Sequence, residues 1–99
     1  MRLNPETRRV IRETAAGIFG PAAQVRLFGS RLDDQARGGD IDLLVVADET
    51  VPDKARKSLT LVARSQIRLG DQPIDVLVID PDTKQSAIHA QALRDGVPV

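Results

Sequence analysis

The sequence predicts an α/β (α+β) fold, a small mixed β-sheet packed with helices, and three observations carry that expectation. Apolar residues recur at helical spacing in three segments, and three short runs rich in Val, Ile and Leu stand between them. The segments alternate in the order helix, strand, strand, helix, strand, helix, which places helices on a sheet. At 99 residues with 41% hydrophobic content, the chain is expected to build one core and one domain spanning 1–99. Strand order is left open by these patterns.

Asn4-Pro5-Glu6 reads as an N-cap, a proline at the first helical position and an acid in the first turn. Val10, Ile11, Ala15 and Ile18 then give a helix from about Pro5 to Ile18, stopped by Gly17, Gly20 and Pro21. Gln24 to Phe28 is a short strand broken by Gly29-Ser30, and Ile41 to Ala47 is a second, apolar on both faces beyond Asp42 and therefore central. Thr50, Pro52 and Asp53 form a Thr-x-x-Asp capping pattern. The helix it opens runs to about Leu69, with Ala55, Leu59, Val62 and Ala63 on its core face and Gly70 at its end. Ile74 to Ile79 is the third strand. Asp80-Pro81 is expected to start a last helix over about Asp82 to Arg94, stopped by Gly96 and Pro98.

Composition excludes several classes of function. There are no cysteines, which removes disulfides, thiolate metal sites and a Cys nucleophile, and suits a cytoplasmic protein. No apolar run approaches membrane-spanning length, so no membrane association is expected. Fourteen basic and fourteen acidic residues cancel, and two Phe with no Tyr or Trp leave little for base stacking. Direct nucleic-acid binding is therefore not expected. The charge is uneven all the same: seven acids lie between Asp33 and Asp53, while Arg2, Arg8, Arg9 and Arg12 face Glu6 alone in the first twelve residues. Those arginines read as a solvated helix face, and His89, beside Ile88 in the last helix, as a surface or partly buried residue.

The chemistry is concentrated in "LFGSRLDDQARGGDIDLLVV", Leu27 to Val46. Asp40 and Asp42 stand two apart at the head of a strand, so their carboxylates leave one face about 6–7 Å apart. Packed among residues that want burial, they repel each other and lose hydration, and a divalent cation relieves both penalties. Asp75 lies in similar company between Ile74 and Val76; if its strand neighbours the second, it completes a three-carboxylate cluster. Oxygen ligands without Cys select a hard cation, Mg2+ or Mn2+, and two such ions would clamp an in-line displacement at phosphorus. Gly29 lets the backbone approach a phosphate, and the Ser30 hydroxyl can bond its oxygens.

Gly29-Ser30, nine residues, Asp40-Ile41-Asp42 before an apolar strand, and a later Asp75 resemble the nucleotidyltransferase superfamily that includes DNA polymerase beta. Within it, the chain looks like the minimal nucleotidyltransferases, antitoxin-like partners of HEPN proteins; its closing "IHAQALRDGVPV" is similar to their final helix and tail. The resemblance implies that Asp40, Asp42 and Asp75 are the metal-binding and catalytic residues. It assigns Gly29, Ser30 and Arg31 to the nucleotide phosphates. Family members often have Ser or Thr directly before the first aspartate, where this chain has Gly39; Asp33 and Asp34 match no family role.

The implied reaction is Mg2+-dependent transfer of AMP from ATP, or of another nucleotide from its triphosphate, to a hydroxyl. In related minimal enzymes that hydroxyl is a tyrosine of the HEPN partner. This chain has no Tyr and little room for an acceptor-binding domain, so the acceptor is expected on another chain in a hetero-oligomer. The alternative function is a non-catalytic antitoxin or regulatory subunit that neutralises its partner by occlusion. Transfer onto RNA or a small molecule such as an aminoglycoside is a third reading, disfavoured by the short chain without a basic or aromatic surface.

Overall fold

A computed structural model of the chain describes residues 3–29 and 41–99. Ser30, Arg31, Asp33, Asp34, Gly39 and Asp40, all singled out above, lie outside the described residues, as does Arg2. Among the described residues the elements are α1 (Pro5–Phe19), β1 (Gln24–Phe28), β2 (Ile41–Val46), α2 (Lys54–Leu69), β3 (Ile74–Ile79), α3 (Ala87–Asp95) and β4 (Val97–Pro98). The α+β expectation holds.

The strands form one mixed sheet in the order β3-β2-β1-β4. β1 runs antiparallel to both β2 and β4, whereas β2 and β3 are parallel and joined by the crossover helix α2. Alternation along the strands divides side chains between two faces. Leu27, Ile41, Leu43, Val45, Ile74 and Val78 point to the face covered by α1 and α2, where they meet Ile11, Ala15 and Leu61. Leu44 and Ile79 point to the other face, where Ala92 of α3 closes a smaller cluster with Phe28, Val46, Leu77 and Leu93 around it. Two-sided burial explains why β2 is apolar almost throughout.

α1 begins as read: the Thr7 N–H donates to the Asn4 carboxamide oxygen at 2.8 Å, and Pro5 occupies the first turn. Three readings need correction. Asp53 adopts the left-handed conformation (φ 53°) and caps nothing, and the Thr50 hydroxyl donates to Asp82 at 2.8 Å instead of opening α2. The core face of α2 is the one carrying Leu61 and Ser65, both fully buried, with Val62 and Leu69 packed beside them; Ala55, Leu59 and Ala63 face solvent, Leu59 at 70% exposure.

The third correction concerns the stretch after β3. Asp80 is buried, and its carboxylate accepts from the Val51 N–H at 2.8 Å and the Asp82 N–H at 3.0 Å, with Lys54 Nζ at 3.0 Å. The Thr83 hydroxyl also donates to it at 3.0 Å. This knot holds 80–83 as a turn, so α3 starts only at Ala87. There the Ser86 N–H donates to His89 Nδ1 at 3.0 Å, which makes His89 part of a helix cap. After Gly96 the chain does not trail off but adds β4 to the sheet.

Candidate functional site

The parallel register sets Asp42 of β2 directly beside Asp75 of β3. Neighbouring strands lie about 4.8 Å apart, and side chains at paired positions share a face. Both aspartates belong to the face that carries Leu44, Leu77 and Ile79, the side covered by α3. They stand near the N-terminal ends of their strands, where Asp42 is half-buried and Asp75 exposed. The condition set by the sequence, that the third strand neighbour the second, is met.

The antiparallel partner of Asp42 on its other side is Phe28, the last residue of β1. Gly29 follows with φ 79°, a conformation side chains rarely adopt, and a Cβ placed there would overlap the Asp42 carboxylate. The aspartate therefore fills the space that only a glycine leaves open. Gly29 and Asp42, thirteen positions apart in the sequence, are in contact for a steric reason that "Gly-Ser" in a sequence does not reveal.

The arrangement fits a hard divalent cation in its donor chemistry. Two carboxylates at paired positions share one face of adjacent strands, an arrangement a hard divalent cation can bridge. Asp42 and Asp75 are a pair, and among the described residues no group of three or more His, Cys, Asp or Glu gathers as a metal site. Asp40, Ser30 and Arg31 lie outside the described residues, so the structure brings together Gly29, Asp42 and Asp75 of the six predicted site residues.

A cleft of about 340 Å3 is lined by Phe28 and Gly29, the neighbours of Asp42, together with Ile88, Gln91 and Asp95. Sequence reasoning did not single out the α3 residues among them. Their signal is the helical spacing of Ile88, Gln91 and Asp95, legible only once the start of α3 is known. A larger cavity of about 480 Å3 lies at the opposite end of β1, between α1 and the chain's last residues, lined by Arg12, Gln24, Arg26 and Val99 among others. Among the described residues no Asp or Glu side chain lines it, and the candidate chemistry follows the aspartates rather than the volume.

A family model described as a nucleotidyltransferase domain matches residues 8–90, which takes in most of α1, the whole β1–β3 unit and both aspartates. No curated protein is similar enough to the chain to count as a match. Domains of the matched kind act on nucleoside triphosphates and generally use divalent metals. No helix among the described residues is long and apolar enough to cross a membrane.

Proposed function

The chain belongs to the nucleotidyltransferase domain family, and from that premise we propose that it transfers AMP from ATP to a hydroxyl of another protein, with Asp40, Asp42 and Asp75 holding the metal. The observation that carries this reading is the Asp42–Asp75 pair in register, with Asp42 seated against a glycine that no side chain could replace without moving its carboxylate.

Two Mg2+ ions, or Mn2+, would neutralise the triphosphate and the carboxylates together when bound. Asp42 and Asp75 supply oxygen ligands from two strands, and Asp40 a third. Gly29, Ser30 and Arg31 hold the phosphates at the end of β1. The acceptor oxygen forms a bond to the α-phosphorus while the bond from that phosphorus to the bridging oxygen breaks, releasing pyrophosphate; the hydroxyl proton passes to Asp75. The cleft along Phe28, Ile88 and Gln91 gives the reactants room on the same face of the sheet.

These 99 residues hold no Tyr, so a tyrosine acceptor would lie outside them. On the resemblance to minimal nucleotidyltransferases, that chain is a HEPN-type toxin and the transfer is an antitoxin activity. The test is label transfer from α-labelled ATP with Mg2+, using the chain and the proteins that co-purify with it, beside Asp42→Asn and Asp75→Asn. Label on a partner that vanishes in both variants supports the reading. A stable complex that takes up no label with any nucleotide turns it to neutralisation by occlusion.

A further inference from the structure

We propose that the outward face of α2 is a docking surface for an acidic amphipathic helix of a partner protein. The inference does not depend on nucleotidyl transfer, because none of its residues belongs to the site around Asp42.

Ala55, Leu59, Ala63 and Ile67 recur every fourth residue along α2, and all four are exposed, Leu59 at 70% and Ile67 at 83%. Such a row is a ridge of the kind that packs into the groove of another helix. The ridge is not the inner edge of the core stripe, which runs through Leu61 and Ser65. Alongside it runs a second row, Arg56, Thr60, Arg64 and Arg68. Ile67, Arg64 and Arg68 also line a groove of about 360 Å3 against Glu13, Thr14 and Gly17 of α1. A Cβ at Gly17 would meet nothing within 4 Å, so the groove floor is open to an incoming side chain.

Charge selects the occupant. α2 carries Lys54, Arg56, Lys57, Arg64 and Arg68 and no acid. Lys54 is engaged with Asp80, and Arg68 lies 3.9 Å from Glu13; Arg56, Lys57 and Arg64 have no acidic partner among the described residues. A second copy presenting the same face would bring like charges together. A membrane-bound helix needs a broad apolar face with large residues, whereas this ridge alternates Leu and Ile with two Ala. A helix with its own apolar ridge and a neighbouring row of Glu or Asp complements both rows.

The test uses a synthetic amphipathic helix of about 18 residues with a Leu/Ala ridge and an adjoining Glu row, long enough to hold helical structure. Its binding to the intact chain is followed by backbone amide shifts and fluorescence anisotropy. Binding is expected to shift α2 and Gly17, to weaken with salt, and to fall at least about tenfold in Arg56→Glu/Arg64→Glu and in Ile67→Asp. Gly17→Leu, which fills the groove without touching the core, is expected to weaken it as well; urea midpoints confirm that each variant folds. Absence of binding overturns the proposal, as does equal binding of the same peptide with Lys in place of Glu. Binding through α2 to phosphatidylglycerol-containing vesicles, or self-association abolished by Ile67→Asp, overturns it in favour of a membrane or a second copy.

Discussion

Replacing Gly29 by Ala perturbs the site through one carbon atom. The cost has two parts. A non-glycine residue at φ 79° carries about 1–2 kcal/mol of backbone strain. The added Cβ also overlaps the Asp42 carboxylate, and an aspartate turned away from its preferred rotamer costs about 0.5–1.5 kcal/mol. The sum is about 1.5–3.5 kcal/mol, enough to lower the midpoint of thermal unfolding by about 6–28 °C in a domain this small. The second part disappears if Asp42 is first shortened, so the assay is a double-mutant cycle in urea over Gly29→Ala and Asp42→Ala. Gly29→Ala should cost only its backbone part in the Asp42→Ala background, giving a coupling near 1 kcal/mol. Gly70→Ala, also at positive φ (90°) but with open space around its Cβ, is the control that pays strain alone. Strict additivity of the two substitutions would refute the steric argument, and with it the claim that Gly29 exists to seat the carboxylate. In the label-transfer assay Gly29→Ala should be nearly as damaging as Asp42→Asn, because the carboxylate moves.

Other consequences can be checked in the same way. The Val51 N–H above all, with Lys54, Thr83 and the Asp82 N–H, holds the Asp80 carboxyl down from the ordinary 3.8 to about 2. A depressed carboxyl contributes stability that is present above its unfolded value and lost as pH falls through the folded one. The urea midpoint should therefore drop between about pH 4 and pH 2, and Asp80→Asn, less stable at pH 6, should converge on the parent across that window. Leu61→Ala removes a fully buried side chain and should cost about 2–5 kcal/mol, whereas Leu59→Ala should stay within about 0.5 kcal/mol; equal costs would restore the apolar-stripe reading of α2. The Ser65 hydroxyl is fully buried without a hydrogen-bond partner, so Ser65→Ala should raise stability by about 1 kcal/mol in urea unfolding.

The strands were the most legible part of the sequence. β1 and β3 have the bounds that their β-branched and aliphatic runs indicate, because a strand buried on one or both faces has few other ways to be written. β4 was illegible for the opposite reason: Val97 and Pro98 become a strand only because Arg26 and Leu27 are there to pair with them. The face of α2 was misread because an apolar stripe was equated with a buried one, while a buried serine lay on the true inner side. The start of α3 was misplaced because Asp80 can satisfy a turn as readily as a helix cap, and tertiary partners decide which. At the site, residue types and their order were readable, and the adjacency of Asp42 and Asp75 was stated as a condition on strand order. The contact between Gly29 and Asp42 was not, since it depends on a φ value and on the antiparallel register that sets Phe28 opposite Asp42.

The parallel pairing of β2 with β3 has a consequence for the order in which the molecule becomes competent. β1 and β2 are consecutive in the chain and pair antiparallel, but β3 joins them only after α2 has crossed the sheet. Parallel pairings of this sort close late, because a long connection must be ordered before its contacts repay it. A chain caught before that step owns Asp42 without its neighbour. On the function proposed above, cation binding would mark completion of the crossover, and a ligand that binds only the finished pair would pull the folding equilibrium toward it. On that reading, half-made chains would lack the pair that handles nucleotide, a delay set by strand order alone.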